Sequence, residues 1–505
     1  ICLLEKENFH SLGGILDGNS NERLIVIAKP NFKDFAAVFP LFRIMKDGAE
    51  VSKVFFCGPF ASLNADPMFK ENAWLDGIII DQVESVTGEL LDAIRQNRSI
   101  RKCKGGIWRE DGTIAKYMPT DAYIPLNQLP LPARDVEKNE LGSYINIEAS
   151  RGCIYNCSFC HIPLVSHKEK VSTTLDFRDP IKVVDEMEFL NKNFGKKLFI
   201  FNDSVFWASE RDNERILKFC AEIKKRGLDI RMYIYLRCNP FIHDEVLNAL
   251  ADTGLVRVFL GVENASEKSQ IIFRKPIRKD SFIEIREKLN QLNVNIHIGY
   301  ITFEPFSTID DIQMNIEYLY KMGKLFRLGV ILEPVRVIPG SFMHKKILES
   351  GLMSADVHYQ DITYGYKFLN GDVERLFKKI KSVFSGNFGR IAYEFEYYCT
   401  TMSILRVLIQ KEDISLSKTV TLEYEKFCGT QKELVDSIYA FLSSLLVRVK
   451  QGNLADNDTK KNFTEEFIEK FLKLKIEYFN FINHVSQLGR NDILSQIYSG
   501  LERIR

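Results

Sequence analysis

The chain has 505 residues, 27% of them charged, and a formal net charge of +1. Single cores rarely grow past about 250 to 300 residues, so two or three domains are expected, and the near-neutral balance offers no global basic field for a nucleic-acid backbone. No run of about 18 apolar residues and no charged, apolar, small-residue leader pattern argues for membrane spanning or export, so the cytoplasm is the expected compartment.

In chain order, the first 110 residues alternate short β-rich runs with helical periodicity. The runs are RLIVIAK at 23–29, an amphipathic stretch from Lys33 to Asp47, KVFFCGP at 53–59, DGIIID at 76–81 and SVTGELLDAIRQN at 85–97. Such alternation predicts a parallel sheet with helices on its faces, a doubly wound Rossmann-like domain over 1–122. Asp111-Gly112 inside GGIWREDGTIAKY is a hairpin turn signal. The proline-punctuated stretch after it predicts a linker over 123–143.

From Tyr144 the alternation restarts with longer units. The strand-like runs are YINIEAS, KLFIFND, IRMYIYLRC, VRVFLGVEN, VNIHIGYITF and LGVILEPVRVI, separated by helical patterns near 179–195, 210–227, 243–253, 280–292 and 308–322. The expected fold class is therefore α/β, with a partial (β/α)6 TIM-type barrel over 144–355 and its chemistry at the carboxyl ends of the strands. Helical patterns such as VERLFKKIKSVF predict a helical C-terminal region over 356–505. Within it, the aromatic piece AYEFEYY at 392–398 is read as core in preference to a lid.

Three of the ten cysteines, Cys153, Cys157 and Cys160, fall within eight positions, with His161 next. The other seven are scattered, as reduced thiols are. Thiolates favour zinc or iron-sulfur clusters. Structural zinc wants four closed ligands, and His161, adjoining Cys160, is poorly placed to complete the tetrahedron. A 4Fe-4S cubane usually takes four cysteines, so three leave one iron open. The loop follows the first barrel strand, which would turn that iron toward the barrel mouth.

The spacing of Cys153, Cys157 and Cys160, with the aromatic Phe159 before the last, resembles the signature of the radical SAM superfamily. The resemblance implies a 4Fe-4S cluster whose open iron binds S-adenosylmethionine (SAM), and an external electron donor such as a flavodoxin or ferredoxin. One electron then cleaves SAM to methionine and a 5'-deoxyadenosyl radical, which abstracts hydrogen from unactivated carbon. It also implies SAM-binding roles along the strand ends: Asp203 in FNDSVF for the methionine amino group, Arg237 in YLRCN for the carboxylate or the substrate, and Glu263 in GVENAS for SAM or a nearby arginine. Glu304 stands in GYITFEPFST where relatives carry an adenine-contacting loop. For Asp203 the competing reading is a helix cap, and for Arg237 a surface ion pair.

One subgroup of that superfamily carries a cobalamin-binding-like Rossmann domain ahead of the barrel, and FFCGPFASLN at 55–64 with the segment at 76–94 resembles it. Cobalamin is therefore a candidate cofactor. Asn8, His10 and Gly13 echo the D-x-H-x-x-G loop of such domains, but the run from Gly13 to Leu24 is too short for a strand-to-strand crossover of about ten to twelve residues plus its turns. The match is taken as coincidental, with the first strand and helix missing or remodelled.

The expected function is a radical SAM enzyme acting on a peptide or small metabolite, with cobalamin-dependent C-methylation slightly favoured. Cyclisation, epimerisation, rearrangement, desaturation or cleavage without cobalamin is the alternative. A tRNA methylthiotransferase fits less well, because those proteins carry three further cluster cysteines and a small β-barrel, where this chain has only Cys2, Cys57 and Cys103 and strand-poor helices. A zinc-stabilised binding protein is the non-enzymatic alternative.

Overall fold

The computed structural model describes residues 3–4, 24–29, 35–48, 51–132, 144–168, 175–238, 243–278, 281–354, 358, 365–411, 417–454, 457–489 and 494. The chain forms two compact units. One comprises Ile1–Leu129, Gly152–Asp176 and Arg336–Tyr366; the other comprises Pro130–Arg151, Phe177–Val335 and Lys367–Arg505.

The first unit is built on a six-stranded sheet whose strands lie side by side in chain order. Leu3–Leu4, Leu24–Ala28, Val51–Phe56 and Gly77–Ile79 are parallel, and the hairpin Gly106–Glu110 with Thr113–Ala115 adds two antiparallel strands. Alternation splits the apolar residues between two faces. Val54 and Phe56 pack with Phe42, Phe60 and Met68, while Phe55 and Cys57 pack with Val86, Leu90 and Trp108. Helices thus cover both faces. Asp111 and Gly112 both take positive φ, 50° and 72°, as a two-residue hairpin turn requires. His10 and the rest of 5–23 lie outside the described residues.

The proline-bearing segment after the hairpin is tied to this unit. Tyr117 and the Thr120 amide donate to Asp81 at 2.6 and 2.8 Å, and Gln82 makes a reciprocal pair with the backbone of Ile124, both bonds at 2.8 Å. Leu126 N donates to Asp176 at the far end of the cysteine-bearing segment, 2.6 Å away.

The second unit holds a five-stranded parallel sheet, again in chain order: Tyr144–Ile147, Leu198–Phe201, Arg231–Arg237, Leu255–Glu263 and Asn295–Tyr300. Between and after them run helices Pro180–Phe194, Asn213–Lys225, Asp244–Asp252, Ser281–Gln291 and Ile309–Lys321. Local sequence sets their ends. Asp179 caps the first by accepting from Ile181 N, Pro180 fills its first turn, and Gly195 closes it in the left-handed conformation.

The expected sixth strand does not form among the described residues. Gly329–Leu332 is a helical turn, and the following chain touches the fifth strand's exit through Val335 N to Phe303 O, 2.9 Å. Pro334, in the middle of the run, lacks the amide donor that a ladder through it needs.

Past residue 366, the described residues form four helices: Gly371–Val383, Gly386–Lys411, Lys418–Lys450 and Asn457–Gln487. The second of these packs on the fourth and fifth strands. Asn295 donates to Ser403 at 2.9 Å, and Arg327 bridges His297 (2.9 Å) to Glu396 (3.1 Å). Because an arginine only donates, His297 Nε2 accepts, leaving its Nδ1–H for Tyr233 Oη at 2.9 Å. Phe395 and Tyr398 of the aromatic piece are buried in the helical core, whereas Tyr393 is exposed.

Gly254 marks where this packing is tightest. It joins helix Asp244–Asp252 to the fourth strand at φ +107°, and a Cβ there would lie 2.2 Å from the Ile230 carbonyl oxygen. Gly227, at φ +62°, faces open space. Urea unfolding should show Gly254→Ala destabilised by about 3 kcal/mol and Gly227→Ala by about 1 kcal/mol.

Candidate active site

The cysteine-bearing segment belongs to the first unit. Gly152, at φ +90°, turns the chain into it. Cys153, Cys157, Phe159 and Cys160 are all half-buried, and none of the three thiols is in a disulfide. Cys160 N bonds to Cys157 O at 3.1 Å, and Ser158 O accepts from Met343 N at 2.9 Å, so the loop is tied inside its own unit. His161 leads into helix Ile162–Lys168, which packs on helix Gly58–Leu63. Burial, with the charge of Lys29 second, pushes the His161 imidazole down to about 4, so it is neutral near pH 7.

Among the described residues, no three His, Cys, Asp or Glu side chains gather as ligands of one ion. Zinc holds its thiolates at about 2.3 Å around a single centre. A cubane takes one thiolate per iron and spreads them wider.

The strand-end residues belong to the second unit. Asp203, two residues past the second strand, is 2% exposed and takes neither a cap nor an open position. Its Oδ1 accepts from Ala149 N at 2.9 Å and its Oδ2 from Ser150 Oγ at 2.5 Å. Burial pushes this carboxyl up to about 7, while those two bonds and the charge of Arg215 pull it down. Arg237 is the last residue of the third strand, buried, and in register with Gly261 of the fourth.

Glu263 ends the fourth strand at φ +67°, beside a register shift. Its Oε1 pairs with Lys275 Nζ at 2.6 Å, and the two side chains are only 10% and 8% exposed. A Cβ at Gly261 would lie 2.5 Å from that Nζ, so glycine makes room for the pair. Glu304 is fully buried and spends its carboxylate on its own neighbourhood, accepting from Phe306 N (2.8 Å), Ser307 Oγ (3.1 Å) and Ser269 Oγ (3.2 Å). Burial pushes its pKa up.

Sequence reasoning missed Lys275 and Ser150. Lys275 lies twelve positions beyond Glu263, with no spacing rule linking them. Ser150 carries a weak signal, its place three residues before Cys153.

Residues 147–319 match the Radical SAM superfamily. That stretch is a radical SAM domain, and the chain is an enzyme. A domain of this kind requires a 4Fe-4S cluster and SAM. It is 22% identical over 326 residues to an uncharacterized methyltransferase, PH0819, of Pyrococcus horikoshii, spanning 63% of this chain and 68% of the relative. It is 30% identical over 273 residues to the anaerobic magnesium-protoporphyrin IX monomethyl ester cyclase of Rubrivivax gelatinosus, spanning 51% of this chain and only 46% of that protein. The structure of the cobalamin-dependent SAM radical enzyme OxsB, with aqua-cobalamin bound, superposes with a TM-score of 0.62 at 15% identity, covering 91% of this chain and 77% of that one. The likeness is one of fold. No described helix is long and apolar enough to cross a membrane.

Two outcomes follow from the buried carboxylates. Lys275→Met leaves Glu263 buried and unpaired and should cost about 3 kcal/mol in urea unfolding, most of it recovered in the double variant with Glu263→Gln. Asp203 holds its proton more tightly folded than unfolded, so its contribution is full below its ordinary value of 3.8 and is lost as pH rises through about 7. The stability of wild type relative to Asp203→Asn should therefore fall across that window in urea titrations at several pH values, and a flat difference would contradict it.

Proposed function

We propose that Cys153, Cys157 and Cys160 each hold one iron of the 4Fe-4S cluster and that SAM takes the remaining iron. The carrying observation is the chemistry and place of the donor set: three half-buried thiols on the segment that follows the first strand of a parallel sheet. When bound, cluster and SAM together supply a 5'-deoxyadenosyl radical that removes hydrogen from an unactivated carbon. Phe159 shields the cluster. Arg237 faces the SAM carboxylate or the substrate, and Glu263, held by Lys275, accepts from SAM donors through its remaining lone pairs. Glu304, committed to its own turn, acts by shaping the fifth strand's exit. A flavodoxin or ferredoxin brings the electron.

The substrate is a peptide or small metabolite, and C-methylation is the favoured reaction. Supporting it are the N-terminal sheet domain and the fold likeness to a cobalamin-dependent radical enzyme. Cobalamin, when bound, carries a methyl group to the substrate carbon. The similarity to a cyclase favours the second reading, a non-methylating rearrangement with the sheet domain as scaffold.

The chain reconstituted without oxygen with iron, sulfide and hydroxocobalamin, then given SAM and reductant, should form 5'-deoxyadenosine. Each of Cys153→Ala, Cys157→Ala and Cys160→Ala should abolish it. S-adenosylhomocysteine alongside, with cobalamin retained, marks methyl transfer; deoxyadenosine alone marks the second reading. A triple variant that still makes deoxyadenosine, or a purified chain with zinc and no iron, refutes the proposal.

A further inference from the structure

The first strand of the second sheet and the segment bearing the thiols are separated by only a few residues, and the structure ties those residues down from two sides. Backbone pairing of the first two strands runs to Ile147 opposite Phe201, and Asn202 N adds one more bond to Ile147 O at 2.8 Å. There the second strand's backbone stops donating. The Asp203 side chain takes over, accepting from Ala149 N and Ser150 Oγ and so extending the ladder by two residues. Opposite, Arg178 N donates to Ala149 O and Arg178 Nη1 to Glu148 O, both at 3.0 Å, while Nη1 also meets the buried Glu186 at 2.7 Å. Arg151 closes on Glu148 with two bonds of 2.9 Å. Gly152 then turns, and Cys153 follows.

We infer that Asp203, through Ser150 and the Ala149 amide, is a positioning residue that fixes where the chain enters the cysteine loop. The inference rests on the reading of Cys153, Cys157 and Cys160 as cluster ligands. Three residues of chain reach at most about 10 Å, so a fixed Ser150 confines the first thiol to a small volume before any iron arrives. Preorganisation of this kind slows loss of the metal, because a ligand that cannot swing away is recaptured before its iron leaves. The role differs from a SAM contact. Both Asp203 oxygens already accept bonds from within the sheet, and at 2% exposure the carboxylate is closed to an outside ammonium. Arg215, whose charge acts on Asp203, lies against the rings of Phe177 (4.4 Å) and Phe206 (5.4 Å) and donates to Phe206 O at 2.6 Å, so it is itself fixed.

The test compares wild type, Ser150→Ala, Asp203→Asn and the double variant, each reconstituted without oxygen. A strong iron chelator is added and loss of cluster absorbance is followed; SAM affinity is titrated separately. Ser150→Ala removes one hydroxyl and is the variant that keeps the fold. Iron should leave Ser150→Ala and Asp203→Asn about tenfold faster than wild type, the effect of losing one charge-assisted hydrogen bond. The double variant should release no faster than Asp203→Asn, because the Ser150 hydroxyl acts only through its bond to Asp203. SAM affinity should be unchanged in all. Additive rates, or wild-type rates in every variant, overturn the inference. So does an Asp203→Asn chain that keeps its cluster but loses SAM affinity, which would return Asp203 to direct SAM contact. A wild-type chain that takes up no cluster overturns the cysteine reading and the inference with it, whereas a wild-type cluster released equally fast from all four chains overturns the inference alone.

Discussion

Every strand of the second sheet runs the same way, and this forces all five carboxyl ends onto one edge. Parallel strands need helical crossovers, helices bury the sheet, and burial makes the strands largely apolar, with Arg257 and His297 as buried exceptions inside them. The first polar side chains past the ends therefore meet on a shared, partly desolvated edge. Asp203, Arg237, Glu263 and Glu304 stand there for that reason. Desolvation then dictates their company, since a carboxylate without donors is not tolerated at this depth. Each acid has its own solution: two bonds from the neighbouring strand's exit for Asp203, a lysine for Glu263, and a ring of local donors for Glu304.

Those solutions divide the acids by what they have left to offer. Glu304 is consumed by its own loop, and Asp203 by the strand beside it. Glu263 spends one oxygen on Lys275, and Oε2 has no hydrogen-bond partner among the described residues.

Periodicity made most of this fold legible in the sequence. Runs such as KLFIFND and IRMYIYLRC became strands, and the intervening helices lie within a few residues of their patterns, because caps such as Asp179 and Gly195 are local chemistry. The run LGVILEPVRVI misled because its apolar content resembles a buried strand, while Pro334 removes a ladder donor in its middle. Side-chain partnerships were the other failure. That Glu263 ends a strand is written in GVEN; that Lys275 returns to it depends on how helix Glu267–Ile272 and the turn after it carry the chain back. The three thiols stand out in the sequence by their spacing, whereas the tether of Ser150 to Asp203 crosses 53 positions and has no local signature.

Glu263 shows what the edge demands of the backbone. A non-glycine residue at φ +67° costs about 1 to 2 kcal/mol, and such strain persists only where the surroundings over-determine it. Three contacts do so here. Ile301 N donates to the Glu263 carbonyl at 2.6 Å, Lys275 holds the carboxylate, and Gly261 yields the space that Lys275 Nζ occupies. The register shift between Gly261 and Glu263 is the same event seen from the sheet, a bulge that re-aims one side chain at the end of a strand. Residues two apart in a strand share a face, and the Glu263 carboxylate lies on the face of Gly261, 2.7 Å from where a Cβ there would sit. The bulge, the glycine and the lysine thus form one device, and its product is a single buried carboxylate turned toward the edge where the strand ends converge.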